Sequence, residues 1–276
     1  MNHPMNATLI DRRDVNEELA IVRVRPDAGQ VPPFRPGQYI TLGLPRGDSA
    51  RTEGAQRPNP ATIQTAAARE TRLVRRAYSI ASSAEDRDSM EFYVVLVRAG
   101  RLTPRLWTVE TGGRLWMDEK ARGEFTLEEV PAGRDLIMIS TGTGIAPFMS
   151  MLRTYRGTGR WRRFVLIHGV RRAGDLGYHN ELLAISRDDP SVVYVPLVSR
   201  EPPTSGWTGL RGRVQDVLNE GAFAHCCGVR LDPSQCHVFL CGNPAMIESV
   251  RAMLEERGFR TQTRTAPGNV HFERYW

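Results

Sequence analysis

The feature that most constrains what this chain can fold into is a change of hydrophobic period near residue 130. Ahead of it, short apolar runs alternate with polar residues at the two-residue repeat of a half-buried strand. LAIVRVR at 19–25 and GQYITLGL at 37–44 are the clearest, with shorter candidates at 77–82, 91–98 and 114–117. Gly, Pro and Asp turns separate them, a pattern that predicts an antiparallel barrel or sandwich. From Asp135 onward strands and helices alternate. DLIMIS (135–140) enters TGTGIAPF and a helical pattern reaching Tyr155. RFVLIHGV (163–170), SVVYVPLV (191–198) and HVFLC (237–241) each precede a helical stretch, at 175–187, 213–218 and 244–257. In the last of these, Met246, Val250, Met253 and Leu254 share one face. This texture predicts βαβ units on a parallel sheet. The expected organisation is an all-β domain over 1–131 and an α/β domain over 132–276.

Residues 45–75 fit neither period. The stretch is rich in Ala, Arg, Thr and Pro and poor in large apolar residues, so it reads as an exposed loop. A chain of 276 residues is long enough to bury a core without disulfides. Its apolar fraction of 41% and charged fraction of 25% exclude a disordered, collagen-like or coiled-coil protein. No apolar run approaches the ~20 residues of a membrane span. The N-terminus carries Asp11 and Asp14 and has no apolar leader region, so a signal peptide is not expected. The four cysteines all fall between 226 and 241, where a disulfide framework would spread them. Reduced thiols and a cytoplasmic location follow as expectations.

The net charge is +6, and Lys120 is the only lysine among 37 basic residues. An excess of cations favours encounters with anions. A nucleic-acid module would gather them in one stripe with stacking aromatics. Here they are interleaved with 31 acids, so nucleic acid is not an expected partner.

Two motifs carry chemistry. In TGTGIAPF (141–148), glycines between a strand and a helix let backbone amides approach an anion, and Pro147 suits the first helical turn. A plain tight turn is the other reading. Neither the dinucleotide fingerprint nor a Walker loop is present. In RAYS (76–79), Arg76 suits a pyrophosphate, Tyr78 a planar ring and the Ser79 hydroxyl a ring nitrogen. An ordinary strand would look the same. His225, Cys226, Cys227, Cys236, His237 and Cys241 offer thiolate and imidazole donors, but no CxxC pair is present. The segment reads as a surface loop, and neither zinc nor an iron–sulfur cluster is expected.

Taken in order, RAYS, YVVLVRAGRLTPRL (93–106), STGTGIAPF, HGVR (168–171), VSRE (198–201), GRV (212–214), FLCGNPAM (239–246) and the terminal FERYW resemble the bacterial ferredoxin/flavodoxin–NADP reductases. The resemblance spans residues 19–276 apart from the 45–75 loop. It implies an N-terminal antiparallel β-barrel that binds FAD and a C-terminal α/β domain with a parallel sheet that binds NADP(H). It also implies hydride transfer between the two, then single-electron exchange with a ferredoxin or flavodoxin. A related flavin reductase feeding an oxygenase is the alternative, and a non-enzymatic basic binding module a remote one.

The resemblance also implies residue roles. Arg76, Ala77, Tyr78 and Ser79 would hold FAD, with Ser79 near flavin N5. Tyr93, Val94, Val95 and Leu96 would line the flavin and its ribityl chain. Arg101, Leu102 and Thr103 would cradle the pyrophosphate, and Thr143 would lie close to both nucleotides. Val170, Arg171, Ser199, Arg200 and Arg213 would bind NADP. Gly242, Asn243, Pro244, Ala245 and Met246 would contact the nicotinamide side. Cys241 would lie close to both rings or be a small buried apolar residue. Glu273 would relay a proton or be a solvated carboxylate. Tyr275 and Trp276 would stack on FAD. The arginines suit a 2′-phosphate, and no acidic residue is visibly placed for a ribose hydroxyl. A monomer is expected.

Overall fold

The computed structural model describes residues 5–46 and 73–274. The bulk of the expected 45–75 loop, and both Tyr275 and Trp276, lie outside them. Six strands form the N-terminal sheet: β1 Ala7–Asn16, β2 Leu19–Pro26, β3 Tyr39–Pro45, β4 Leu73–Ser79, β5 Met90–Val95 and β6 Arg114–Met117. All pairings are antiparallel, in the order β4-β3-β6-β1-β2-β5. Beyond β4, Ile80 bridges Phe92 of β5, and the Ala81 N–H donates to the Glu91 carbonyl at 2.8 Å. The sheet thereby curls into a barrel. The rest of β4 lies along a seam, with no ladder to β5 among the described residues.

Leu9, Val22, Val24, Ile40, Leu42, Phe92 and Leu115 fill the barrel. Each such fully buried side chain contributes about 1.5–3 kcal/mol of transfer free energy. The short helix α1 (Thr103–Leu106) plugs it with Leu102 and Leu106. β4 begins at Leu73, earlier than the expected 77–82, because its pairing with β3 runs unbroken from Pro45↔Leu73 to Tyr39↔Ser79. β2 also departs from the half-buried expectation. Ala20, Val22 and Val24 enter the barrel, while Leu19 and Ile21 pack outward against the other domain.

The second sheet is parallel, in the order β10-β9-β8-β7-β11-β12. Its strands are β7 Asp135–Thr141, β8 Arg163–Val170, β9 Val192–Val198, β10 Leu210–Arg211, β11 Cys236–Gly242 and β12 Val270–Arg274. Helices α2 (Ala146–Tyr155), α3 (His179–Asp188), α4 (Val214–Val217), α5 (Glu220–Cys227) and α6 (Pro244–Glu255) complete it. Leu136 to Ile139 of β7 form an unbroken apolar run because both faces of the strand are covered. Leu136 and Met138 join α2, α3 and the barrel residues Leu19, Ile21 and Tyr93. Ile137 and Ile139 join α4–α6. The chain grows outward from β7 in one direction and returns to β11 in the other. A crevice therefore opens between these two strands at their carboxyl ends.

Two further expectations are corrected. Residues 175–187 are not one helix. A 3-10 turn spans Ala173–Asp175, and α3 starts only at His179, since the backbone must first pass Gly177 against the Tyr93 ring. The cysteine segment is not a surface loop: α5 buries Cys227, and β11 buries Cys236 and Cys241. Burial pushes the Cys227 thiol up to about 12, so it packs as a small hydrophobe. Among the described residues, no three His, Cys, Asp or Glu side chains gather into a metal-binding group.

Candidate functional site

At the barrel seam, Arg76 is exposed and, among the described residues, donates to the neighbouring Arg75 carbonyl at 2.8 Å. The Tyr78 ring meets Phe92 edge-on at 6.3 Å, and its buried hydroxyl has no partner among the described residues. Burial raises that phenol well above its ordinary pKa, so it stays a donor. Ser79 ends β4 and is itself buried. Its hydroxyl donates to Glu273 Oε2 at 3.2 Å, 194 positions away in sequence. Burial pushes the Glu273 carboxyl up to about 7, partly opposed by that bond. In the β11–β12 pairing Glu273 lies opposite Cys241, whose side chain faces the core shared with the barrel. Ser79, Cys241 and Glu273 thus mark the place where the seam reaches the parallel sheet.

Beside them a cleft of about 700 Å³ opens over the carboxyl ends of the strands. Thr141, Gly142 and Thr143 after β7, Gly169, Val170 and Arg171 from β8, and Ser199 and Arg200 after β9 form its floor. Gly242, Asn243, Ala245 and Met246 close one end, Gly212 and Arg213 the other, and Leu19 and Val95 of the barrel form a wall. The glycine loop sits tight on β11: a Cβ on Gly144 would come within 2.3 Å of the Cys241 carbonyl oxygen. Gly242 has φ +136°, and Asn243 caps α6, its Oδ1 accepting from the Ala245 N–H at 2.8 Å. Asn243 also donates its own N–H to Thr141 Oγ1 at 2.9 Å. Arg171, Arg200 and Arg213 are exposed, and none is paired with a carboxylate of a described residue. Three free guanidinium groups around one cleft suit a phosphate.

Comparison with known proteins identifies the lineage. Residues 138–252 match the oxidoreductase NAD-binding domain family. The flavodoxin/ferredoxin–NADP reductase of Escherichia coli K12 is 34% identical over 246 residues, 88% of each chain. The chain belongs to the flavodoxin/ferredoxin–NADP reductase family. The ferredoxin–NADP reductase of Pseudomonas aeruginosa is 30% identical over 87% of this chain and 86% of its own. A crystal structure of a ferredoxin NADP+ reductase from Neisseria gonorrhoeae with bound FAD and NADP shares the fold. Its TM-score is 0.79 at 24% identity, covering 98% of this chain and 97% of that one.

Within this family member, the residues expected around the nucleotides divide into three groups. Thr143, Val170, Arg171, Ser199, Arg200, Arg213, Gly242, Asn243, Ala245, Met246 and Val95 line the cleft, whereas Pro244 does not. Arg76, Ala77 and Arg101 are exposed along the barrel. Others have side chains engaged elsewhere. Val94 and Leu102 point into the barrel core. The Thr103 hydroxyl accepts from the Val97 N–H at 2.9 Å. Tyr93 turns away from the barrel, meets Tyr178 edge-on at 5.4 Å and donates its hydroxyl to the Asp175 carbonyl at 2.8 Å.

Acidic residues do line the cleft, which sequence reasoning missed: Glu18 and Asp175 are both there. Each is already engaged. Glu18 accepts from Arg98 at 3.0 Å, and Asp175 accepts from the Arg172 N–H at 3.0 Å. The nearby Glu201 accepts from the Ala173 N–H at 2.6 Å. His168 was also missed. Its Nε2 meets the Gly142 carbonyl at 2.9 Å, and full burial pulls its pKa down to about 4. A neutral ring donating to that carbonyl props the glycine loop. The available signal was a lone histidine inside an apolar strand.

Proposed function

We propose that this chain is an FAD-containing ferredoxin/flavodoxin–NADP reductase that passes a hydride between NADP(H) and FAD and exchanges single electrons with a ferredoxin or flavodoxin. The reading rests above all on the Ser79–Glu273 hydrogen bond, which ties the barrel seam to the parallel sheet whose carboxyl ends floor the cleft with its three exposed arginines. The relatives' names supply the carrier class.

The residues fit the implied groups. The seam offers a buried phenol hydroxyl at Tyr78 with no partner among the described residues and an exposed cation at Arg76, suited to a conjugated ring and a pyrophosphate. FAD, when bound, supplies the step between two-electron and one-electron chemistry. The chain's own contribution is orientation and electrostatics. Arg171, Arg200 and Arg213 grip the anionic end of NADP(H), while Glu18, Asp175 and Glu201 are each held by a hydrogen bond from the chain itself. Leu19 and Val95 exclude water along the barrel wall. Glu273, with a pKa of about 7, is poised to hold or release a proton near neutrality, and Ser79 fixes its carboxyl. The FAD-binding unit is assigned to 1–131 and the NADP-binding unit to 132–276, consistent with the barrel ending before β7. A monomeric, cytoplasmic enzyme without a nucleic-acid partner completes the reading. No helix among the described residues is long and apolar enough to cross a membrane.

The test is anaerobic. The purified protein is expected to carry flavin, to bleach on adding NADPH, and to recover its absorbance on adding oxidised ferredoxin or flavodoxin. Replacing Arg200 and Arg213 together by Ala should raise the KM for NADPH at least tenfold more than that for NADH. Flavin that NADPH does not bleach, or equal effects on both nucleotides, would refute the assignment.

A further inference from the structure

Three barrel side chains reach across the domain boundary and hold one loop of the α/β domain, residues 172–177, directly after Arg171. Asn16 Nδ2 donates to the Gly174 carbonyl at 3.1 Å and to Asp175 Oδ1 at 2.9 Å. The Tyr93 hydroxyl donates to the Asp175 carbonyl at 2.8 Å and accepts from the Gly177 N–H at 3.2 Å. Arg13 donates to the Gly177 carbonyl at 3.3 Å. The fit is close, since a Cβ on Gly177 would lie 2.6 Å from the Tyr93 ring. The orientation of the Asn16 amide is fixed, because its Oδ1 accepts from the Glu18 N–H at 2.9 Å. A register shift in β1 between Asp14 and Asn16 aims this side chain at the loop.

The decisive atom is the second oxygen of Asp175. While Oδ1 takes the Asn16 amide, Oδ2 accepts from the Arg172 N–H at 3.0 Å. That N–H belongs to the peptide linking Arg171 to Arg172. One carboxylate therefore bridges a barrel side chain and the backbone that carries a phosphate-gripping arginine. The carbonyl of that same peptide, Arg171 C=O, accepts from the Arg200 N–H at 2.8 Å, so both polar atoms of the peptide that follows the Arg171 Cα are fixed.

We propose that Asn16, assisted by Tyr93, is a positioning residue for Arg171: the FAD-side barrel sets, through Asp175, the placement of the guanidinium that selects the 2′-phosphorylated nucleotide. This rests on the NADP reading of the cleft. It gives Tyr93 a task different from flavin contact, and it makes nucleotide preference a property shared between the two domains.

The test is a double-mutant cycle on the FAD-loaded enzyme, read as KM and kcat with NADPH and with NADH. Asn16→Ala should raise the KM for NADPH about fivefold, with a smaller change in kcat and in the KM for NADH. Asn16→Asp, which sets a carboxylate against Asp175, should be worse than Asn16→Ala. Tyr93→Phe should shift KM in the same direction with flavin content unchanged, and it serves if the Asn16 variants fold poorly. In an Arg171→Ala background, Asn16→Ala should add nothing. Full additivity of the two, or equal losses with NADPH and NADH, would overturn the assignment. If Arg171→Ala alone leaves the KM for NADPH unchanged, the reading of Arg171 fails first, and this assignment with it.

Discussion

Glu273 shows how burial alone reshapes a side chain. An ordinary glutamate would be ionised at neutral pH, yet here the carboxyl titrates at about 7 instead of 4.5. The folded chain thus binds this proton more tightly than the unfolded chain does. Its stabilising effect is complete below about pH 4.5 and is lost as pH rises through 7. Replacing Glu273 by Gln, which stays neutral, should therefore raise the melting temperature at pH 8, and the gain should shrink towards pH 5. The shift corresponds to at most about 3 kcal/mol, and residual solvent access reduces that to roughly 1–2 kcal/mol. A melting temperature equally changed at both pH values would contradict the burial argument. The candidate residues could be picked out of the sequence at this scale, because Arg76, Ser79 and Glu273 sit in short local motifs. Their engagements could not. Tyr93 and Asp175 are 82 positions apart and Asn16 and Asp175 are 159, so only the assembled fold shows that they touch.

Among the elements, the strand–loop–helix unit at 135–155 is the one on which the cleft depends. Its glycines, its Pro147 and its unbroken apolar strand could be read directly from the chain, because each reflects a local backbone demand. Less legible were the limits of β4 and α3. The pairing of β4 with β3 and the passage of Gly177 past Tyr93 are tertiary constraints that local period does not encode. Gly144 tests how tightly the loop is seated. Its φ is unremarkable, so an alanine meets no backbone strain, only the Cys241 carbonyl at 2.3 Å. Gly144→Ala should lower stability by about 2 kcal/mol or more in thermal unfolding and weaken NADPH binding. Wild-type values for both would show that the loop is not held against β11.

For the molecule as a whole, the two domains are joined by a packed and ionic interface. Glu91 of the barrel accepts from Arg153 of α2 at 2.7 Å and from the Tyr178 hydroxyl at 2.9 Å, and Arg153 also grips Glu181 at 2.7 Å. Both members of the Glu91–Arg153 pair are largely buried, with side-chain exposures of 11% and 21%. Arg153→Ala leaves Glu91 without its strongest partner and should cost about 3 kcal/mol. Calorimetry should then show domain melting split into two steps, and a single unshifted transition would argue that the interface contributes little. The two-domain architecture was legible from the change of period at residue 130. The outward burial of Leu19 and Ile21, which couples the domains, was hidden because a strand's second face looks the same whether it meets water or another domain.

The proposed function requires that the barrel seam and the cleft of the parallel sheet meet functionally at Ser79 and Glu273, the pair that ties β4 to β12. The most direct measurement is single-turnover reduction of the bound flavin by NADPH, comparing the parent enzyme with Ser79→Ala at equal flavin content. The convergence predicts a rate lower by on the order of tenfold or more, with FAD still bound. An unaltered rate in the fully flavin-loaded variant would contradict it.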